Sequence, residues 1–111
     1  MPEPEPARML RLHFVESDRH GGKPLYEAVV ERCRELGIAG ATVFRGLEGY
    51  GESAELHRHQ IGRHEQPIVV TIVDTAQNIR ILIPVLENMM QTGLMAVSDV
   101  ERIRLERSRE L

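Results

Sequence analysis

The feature that most constrains the fold is a short apolar segment near the middle of the chain, IVVTIV, which begins at Ile68. An unbroken run of β-branched residues favours a strand, in which successive side chains point to opposite faces. Ile68, Val70 and Ile72 are therefore expected on one face. Val69 and Val73 are expected on the other. Since burying each such side chain is worth about 1.5–3 kcal/mol, both faces of this strand are predicted to be covered.

Three other segments are predicted to be strands. Residues 9–15 alternate between apolar and polar side chains, which is the pattern of a half-buried strand. Residues 41–51 form a second strand-like run that ends in three glycines. Near the C-terminus, Ser98 and Glu101 would fit a helix capping box, but the apolar spacing favours a strand that continues past Ile103.

Two helices are predicted between the strands. The first begins near Pro24, which a helix tolerates in its first turn, and ends before Gly37. The second is expected to be capped by Asp74 or Thr75 and contains Pro84. Apolar residues recur at helical spacing in both segments.

The order β-α-β-loop-β-α-β predicts an α+β fold, the ferredoxin-like βαββαβ sandwich, with one antiparallel sheet and two helices on a single face. Helices on one face leave the other face of the sheet open. Because Val69 and Val73 lie on that open face, the simplest cover is another copy of the chain. The sequence therefore predicts a homo-oligomer.

Composition bounds the function classes. The chain has 111 residues, as expected for a single domain, and a net charge of −3, which argues against a nucleic-acid binder that relies on bulk charge. No apolar run approaches the roughly 18 residues of a membrane span, so insertion into a membrane is not expected. Residues 1–8 are acidic and proline-rich and are predicted to be a disordered tail, and residues 107–111 a C-terminal tail. A single cysteine, Cys33, fits a cytoplasmic location, where it is expected to be a small buried hydrophobe.

The predicted loop, residues 52–65, is long and polar, whereas most hairpin loops have roughly 2–5 residues. Long loops kept in small domains are usually functional. Its mildly basic tip would suit docking onto an acidic protein surface. The candidate docking residues are Glu55, His57, Arg58, His59 and Arg63.

Three further groups have binding chemistry, each with a structural alternative. The glycine-rich end of the second strand lets a ligand approach the backbone, or forms a bend at a strand end. Arg102 and Arg104 alternate with apolar residues and could bind phosphate oxygens through their forked donors, or form a solvated strand edge. Lys23 lies beside a helix N-terminus, which can hold an anion, or belongs to a turn that caps the helix.

Residues 16–28, 40–51 and 67–74 resemble a widespread prokaryotic family of PII-like proteins. The resemblance extends over residues 9–105, so the domain is assigned to residues 9–106. It implies a ferredoxin-like fold, a homotrimer, adenine nucleotides bound in clefts between subunits, and a loop similar to the PII T-loop that docks on a protein partner such as a membrane transporter.

The resemblance also implies which residues bind the nucleotide. A glycine-aromatic-glycine step lies where PII proteins line the nucleotide cleft, and the late-strand arginines resemble residues that reach its phosphates. Residues 91–93 replace the longer glycine-rich loop of PII proteins, which favours AMP or ADP over ATP as the effector. The candidate nucleotide-binding residues are Gly49, Tyr50, Gly51, Lys23, Arg102 and Arg104.

The leading hypothesis is a PII-like signal-transduction protein that needs no cofactor and is not an enzyme, because no catalytic frame of nucleophile, base or paired carboxylates is found. One alternative is a metal-responsive protein that uses His57, His59 and His64, although their spacing matches no strong zinc pattern. Another is a small trimeric enzyme with active sites in the clefts between subunits.

Overall fold

The computed structural model describes residues 3–49 and 65–105. These residues form four long or medium strands, a short two-stranded hairpin and two α-helices. In chain order the elements are β1 (Glu5–Val15), β2 (Arg19–His20), β3 (Lys23–Pro24), α1 (Leu25–Glu35), β4 (Thr42–Arg45), β5 (Pro67–Asp74), α2 (Ala76–Met89) and β6 (Leu94–Arg102).

The main sheet has the strand order β4-β5-β1-β6, and every neighbouring pair is antiparallel. This order, with one helix after β1 and one after β5, is the ferredoxin-like βαββαβ arrangement. The predicted α+β fold is therefore confirmed. Among the described residues, neither helix is both long and apolar enough to span a bilayer.

The hydrophobic core lies between the helices and one face of the sheet. Alternate residues of β5 are buried, beginning with Ile68, so Val70 and Ile72 are fully enclosed. The strand pairs with β1 in a register that sets Ile72 opposite Leu10. The helices contribute Leu25, Ala28, Val29, Cys33, Ile79, Leu82, Leu86 and Met89 to the same cluster.

The other face of the sheet carries a row of side chains that crosses all four strands. The strand register aligns Phe44, Val69, His13 and Leu94 in that order. Phe44 is 55% exposed and Leu94 is 56% exposed in the single chain. Val69 therefore points away from the core, as predicted from the two apolar faces of its strand. Its neighbour on β4 is Phe44, and its neighbour on β1 is His13.

The first strand begins earlier than predicted. Residues 5–8 were assigned to a disordered tail, but they form part of β1 and pair with β6 from Arg102 to Asp99. Ala7 is buried there. The acidic, proline-rich composition indicated a tail because pairing with a distant strand cannot be seen in the local sequence.

Two other strands end earlier than predicted. β4 stops at Arg45 and not at residue 51, since Gly46 turns the chain toward Pro67. β6 stops at Arg102, so it does not continue past Ile103. It also begins at Leu94, directly after Gly93, whose φ of +123° few other residues tolerate and whose Cα approaches the His13 carbonyl closely.

The helix ends follow the predicted signals. Pro24 is the N-cap of α1, and Gly37 adopts a positive φ just after the helix. The Thr75 side chain caps α2 by accepting a hydrogen bond from the Asn78 N–H, so Thr75 and not Asp74 is the N-cap residue. Cys33 is buried as expected, and burial raises the pKa of its thiol to about 11. The thiol is therefore protonated and unreactive at neutral pH.

Candidate functional site

The base of the predicted long loop is fixed by hydrogen bonds at the start of β5. The Gly46 N–H donates to the Pro67 carbonyl at 2.7 Å, and the Glu16 N–H donates to the Gln66 carbonyl at 2.9 Å. An ion pair between Arg45 Nη2 and Glu16 Oε2, at 2.7 Å, joins β4 to the turn after β1. These contacts hold the two ends of the segment in a defined position on the sheet.

Gly46 and Gly49 lie against the ring of Pro67. A Cβ on Gly46 would come within 2.9 Å of Pro67 Cγ, and a Cβ on Gly49 within 3.5 Å. Leu47 between them is 95% exposed. The loop base therefore packs two glycines against the apolar ring of one proline.

Arg102 and Arg104 meet at one carboxylate. Arg102 Nε donates to Glu5 Oε1 at 2.7 Å, and Arg104 Nε lies 3.8 Å from the same oxygen. In the described part of the chain, Glu5 is the one acidic side chain in ion-pair contact with either arginine. The hydrogen bond of Arg102 is made by Nε, and the outer edge of each guanidinium is formed by two further donors, the Nη groups.

The two arginines differ in their surroundings. The Arg102 side chain is 16% exposed, whereas that of Arg104, which lies beyond the end of β6, is 63% exposed. Arg104 therefore lies outside the strand, which was predicted to continue past Ile103 but ends at Arg102. Glu5 nevertheless brings the two guanidinium groups to the same place.

Asp74 is a buried carboxylate at the end of β5. Its oxygens accept hydrogen bonds from the Ala39 N–H (2.8 Å), the Thr75 N–H (2.6 Å) and the Asn78 side-chain amide (2.9 Å). Burial by itself would raise the pKa of Asp74, but these donors and the positive charge of Arg102 outweigh it and hold the pKa below its ordinary value. Asp74 joins the loop before β4 to the start of α2.

Lys23 occupies a different cleft on the helix side of the molecule. Its Nζ donates to Glu31 Oε1 at 2.7 Å, and the hydrogen bond with Glu31 raises the pKa of Lys23. The cleft has a volume of about 240 Å³, and Arg32 and Glu35 form an ion pair on its wall. Gly49, Arg102 and Arg104 are not among its lining residues.

The candidate nucleotide-binding residues that the structure describes, namely Gly49, Lys23, Arg102 and Arg104, are therefore not brought together within one chain. Gly49 contacts Pro67, the first residue of β5, and the charge of Arg102 acts on Asp74, the last. Eight residues of strand separate these positions by roughly 23 Å, more than a mononucleotide spans. A site that used both ends would need a loop base from one copy and arginines from another.

Several predicted site residues lie outside the described residues. Tyr50 and Gly51 belong to this group, and Glu65 is the one described residue of the predicted loop. Among the described residues no cluster of three or more histidine, cysteine or acidic side chains could hold a metal ion. The docking and metal hypotheses concern residues outside that part, namely Glu55, His57, Arg58, His59, Arg63 and His64.

Sequence reasoning missed Glu5 as the partner of the arginines. The available signal was the position of Glu5 in the chain. If the first and last predicted strands are antiparallel neighbours, an acidic residue before the first strand lies opposite the basic residues at the end of the last. It also missed the ion pair between Glu16 and Arg45 at the loop base. Glu16 directly follows the predicted strand of residues 9–15, but Arg45 lies inside the predicted strand of residues 41–51.

The fold is that of a PII-like protein. CPII of Thiomonas intermedia K12, a nitrogen regulatory PII-like protein whose structure is known bound to ADP and bicarbonate, matches with a TM-score of 0.61 at 18% identity. The match covers 94% of this chain and 95% of that chain. The apo form of CPII matches with a TM-score of 0.61 at 15% identity, over 95% and 100% of the two chains.

The chain belongs to the family DUF190, described as "Uncharacterized ACR, COG1993", whose model matches residues 7–102. A UPF0166 protein of Aquifex aeolicus is 36% identical over 100 residues, which is 88% of this chain and 94% of the relative. A UPF0166 protein of Methanocaldococcus jannaschii is 30% identical over 96 residues, which is 84% of this chain and 88% of the relative. The sequence matches thus show the DUF190 family, and the structural matches show that the chain has the fold of a PII-like protein, as predicted.

Proposed function

We propose that this protein is a cytosolic PII-like sensor that binds an adenine nucleotide between the subunits of a homotrimer. The loop base around Gly49 of one copy contacts the adenine ring. Arg102 and Arg104 of a neighbouring copy bind the phosphates. The observation that carries the proposal is the pair of arginines that meet at Glu5. The outer edge of a guanidinium, formed by its two Nη groups, matches the spacing of two phosphate oxygens.

Assembly is supported by the open face of the sheet. The row carries apolar Phe44, Val69 and Leu94, with His13 between the last two, and both of its end residues are more than half exposed in the single chain. Exposed apolar side chains grouped on one face of a soluble protein mark an interaction site. A second copy would cover this row, and assembly would also bring the two separated ends of neighbouring sheets into one cleft.

The choice of ligand is supported by the similar structures. CPII is described as bound to ADP and bicarbonate, and also to ADP with AMP. We propose AMP or ADP in preference to ATP for this chain, because the connection between α2 and β6 is only four residues long and offers little backbone for a third phosphate.

The proposed output is a change in the loop of residues 52–65. Nucleotide bound at Gly49 would favour one arrangement of the loop, which then docks on a protein partner such as a membrane transporter. Such a signal requires that the nucleotide bind the two loop states with different affinity. The hydrogen bonds from Gly46 to Pro67 and from Glu16 to Gln66 support this coupling, since they fix the chain on either side of the loop, and Gly49 lies between Gly46 and the loop.

Titration calorimetry with AMP, ADP and ATP tests the proposal. We expect heat of binding for AMP and ADP, and at least about a tenfold loss of affinity in Arg102→Ala, since a hydrogen bond to a charged group is worth about 1.5–3 kcal/mol. Arg80→Ala is the matched control, because Arg80 is exposed on α2. No heat with any of the three nucleotides at millimolar concentration would contradict the proposal.

The proposed role is binding without turnover. Chromatography of each nucleotide after prolonged incubation with the protein should recover it unchanged. Product that accumulates in proportion to protein concentration, and that Arg102→Ala reduces, would instead support a small enzyme with active sites in the same clefts.

A further inference from the structure

Glu5 has no assigned role, yet it contacts both arginines of the proposed phosphate site. The antiparallel register of β1 and β6 sets Glu5 directly opposite Arg102. Its Oε1 accepts from Arg102 Nε at 2.7 Å and lies 3.8 Å from Arg104 Nε. We infer that Glu5 is a positioning residue, which orients the two guanidinium groups so that their outer edges face a bound phosphate; this inference rests on the proposed function.

The burial of Arg102 is the first argument. Its side chain is only 16% exposed, and a cation removed from water to this extent requires a counter-charge or hydrogen-bond acceptors. Glu5 supplies both, and its own side chain is 47% exposed. The hydrogen bond to Glu5 fixes the Nε side of the Arg102 guanidinium.

The second argument is the mobility that Glu5 removes from Arg104. Arg104 lies beyond the end of β6 and is 63% exposed, so no strand pairing orients its side chain. An arginine side chain has about 2 kcal/mol of rotamer entropy, part of which is lost on binding a ligand. Contact with Glu5 restricts the side chain before the ligand arrives, and such preorganisation increases affinity.

A simpler role would be structural, because cross-strand ion pairs stabilise a sheet by roughly 0.2–1 kcal/mol. A third role would be competition, in which Glu5 neutralises the arginines and weakens phosphate binding. The three roles predict different changes in the affinity for ligands with and without phosphate. They also differ in the effect of removing only the charge of Glu5 and of removing both its charge and its oxygen acceptor.

The experiment measures ADP and adenosine binding by calorimetry in the full-length protein and in Glu5→Ala, Glu5→Gln and Glu101→Gln. We expect Glu5→Ala to weaken ADP binding roughly tenfold, as preorganisation is lost, and to leave adenosine binding unchanged. Glu5→Gln keeps an oxygen acceptor for Arg102 Nε and should stay within about threefold of the wild type. Glu101 is exposed near the same strand end, so Glu101→Gln controls for the loss of one negative charge.

Three outcomes would overturn the inference. If Glu5→Ala binds ADP as tightly as the wild type or more tightly, Glu5 is a bystander or a competitor. If ADP and adenosine lose affinity equally, Glu5 is structural. If the wild type binds no adenine nucleotide at all, the proposed function fails and this inference fails with it. The first two outcomes are distinguishable from this one, because both require that the wild type bind ADP.

Discussion

Asp74 links three segments of the chain through hydrogen bonds to Ala39, Thr75 and Asn78. Asp74→Asn replaces one carboxylate oxygen by an NH2 group, so at least one of these donors loses its acceptor. We expect the free energy of unfolding at neutral pH to fall by about 1–3 kcal/mol. Urea unfolding measures this loss, and Asp99→Asn, at a residue whose side chain is 88% exposed, is the control with little expected effect.

The same variant gives a pH dependence whose sign follows from the lowered pKa of Asp74. The stabilisation is present above 3.8, the ordinary pKa, and is lost as the pH falls through the lower pKa of the folded state. The difference in unfolding free energy between wild type and Asp74→Asn should therefore shrink over that acid range. An equal difference at neutral and acid pH would show that the charge of Asp74 contributes nothing.

Gly46 is required where the chain leaves β4, because a Cβ there would lie 2.9 Å from Pro67 Cγ. Gly46→Ala should lower the free energy of unfolding by about 1–3 kcal/mol, the usual cost of overpacking. Gly40→Ala is the matched control, since a Cβ on Gly40 meets nothing within 4 Å. Thermal unfolding of both variants checks the prediction, and equal melting temperatures would show that the proline ring moves aside without cost.

Single residues were predictable from the sequence where the signal is local. Arg102 and Arg104 were identified because their alternation with apolar residues is visible in the chain, and Thr75 because it directly precedes a helical stripe. Glu5 was not identified, since its role depends on Arg102, a residue that only the pairing of β1 with β6 brings near.

At the scale of elements, the first strand gives the sharpest test. Residues 5–8 pair with β6, and Ala7 within them is buried. A variant that begins at Met9 loses these pairs and should be less stable by at least about 2 kcal/mol, because several strand hydrogen bonds are removed at roughly 0.5–1.5 kcal/mol each. A variant that begins at Glu5 keeps them and should unfold in urea like the full chain.

Equal stability of the two shortened variants would contradict the role of residues 5–8 in the sheet.

The sequence predicted β5 and both helices because their patterns are periodic over many residues. It placed the ends of β1, β4 and β6 incorrectly, since a strand ends where its partner ends or where the chain turns. Pairing partners are distant in sequence, and the turn at Gly46 depends on Pro67.

At the scale of the whole molecule, the two apolar faces of β5 have different outcomes. The face containing Ile68, Val70 and Ile72 is filled by the two helices. The face containing Val69 also carries Phe44 and Leu94, which are more than half exposed in the single chain, and we propose that a second copy covers it. The sequence predicted this imbalance from the apolar pattern of the strand and the number of helices, which requires no knowledge of side-chain contacts. The geometry of the assembled cleft could not be predicted in that way, since it depends on how copies meet.

The proposed assembly can be tested with two residues of matched exposure. Phe44 is 55% exposed on the open face, and Ile81 is 53% exposed on α2. Phe44→Glu would place a charge in the proposed interface, where an unpaired buried charge costs several kcal/mol, and should convert the oligomer to monomers. Ile81→Glu should leave the assembly intact, because that helix face lies outside the row. Sedimentation equilibrium measures both masses. The open face is not the interface if the wild type remains monomeric when concentrated, or if the Phe44→Glu variant still assembles. In that case the loop base and the arginines stay roughly 23 Å apart.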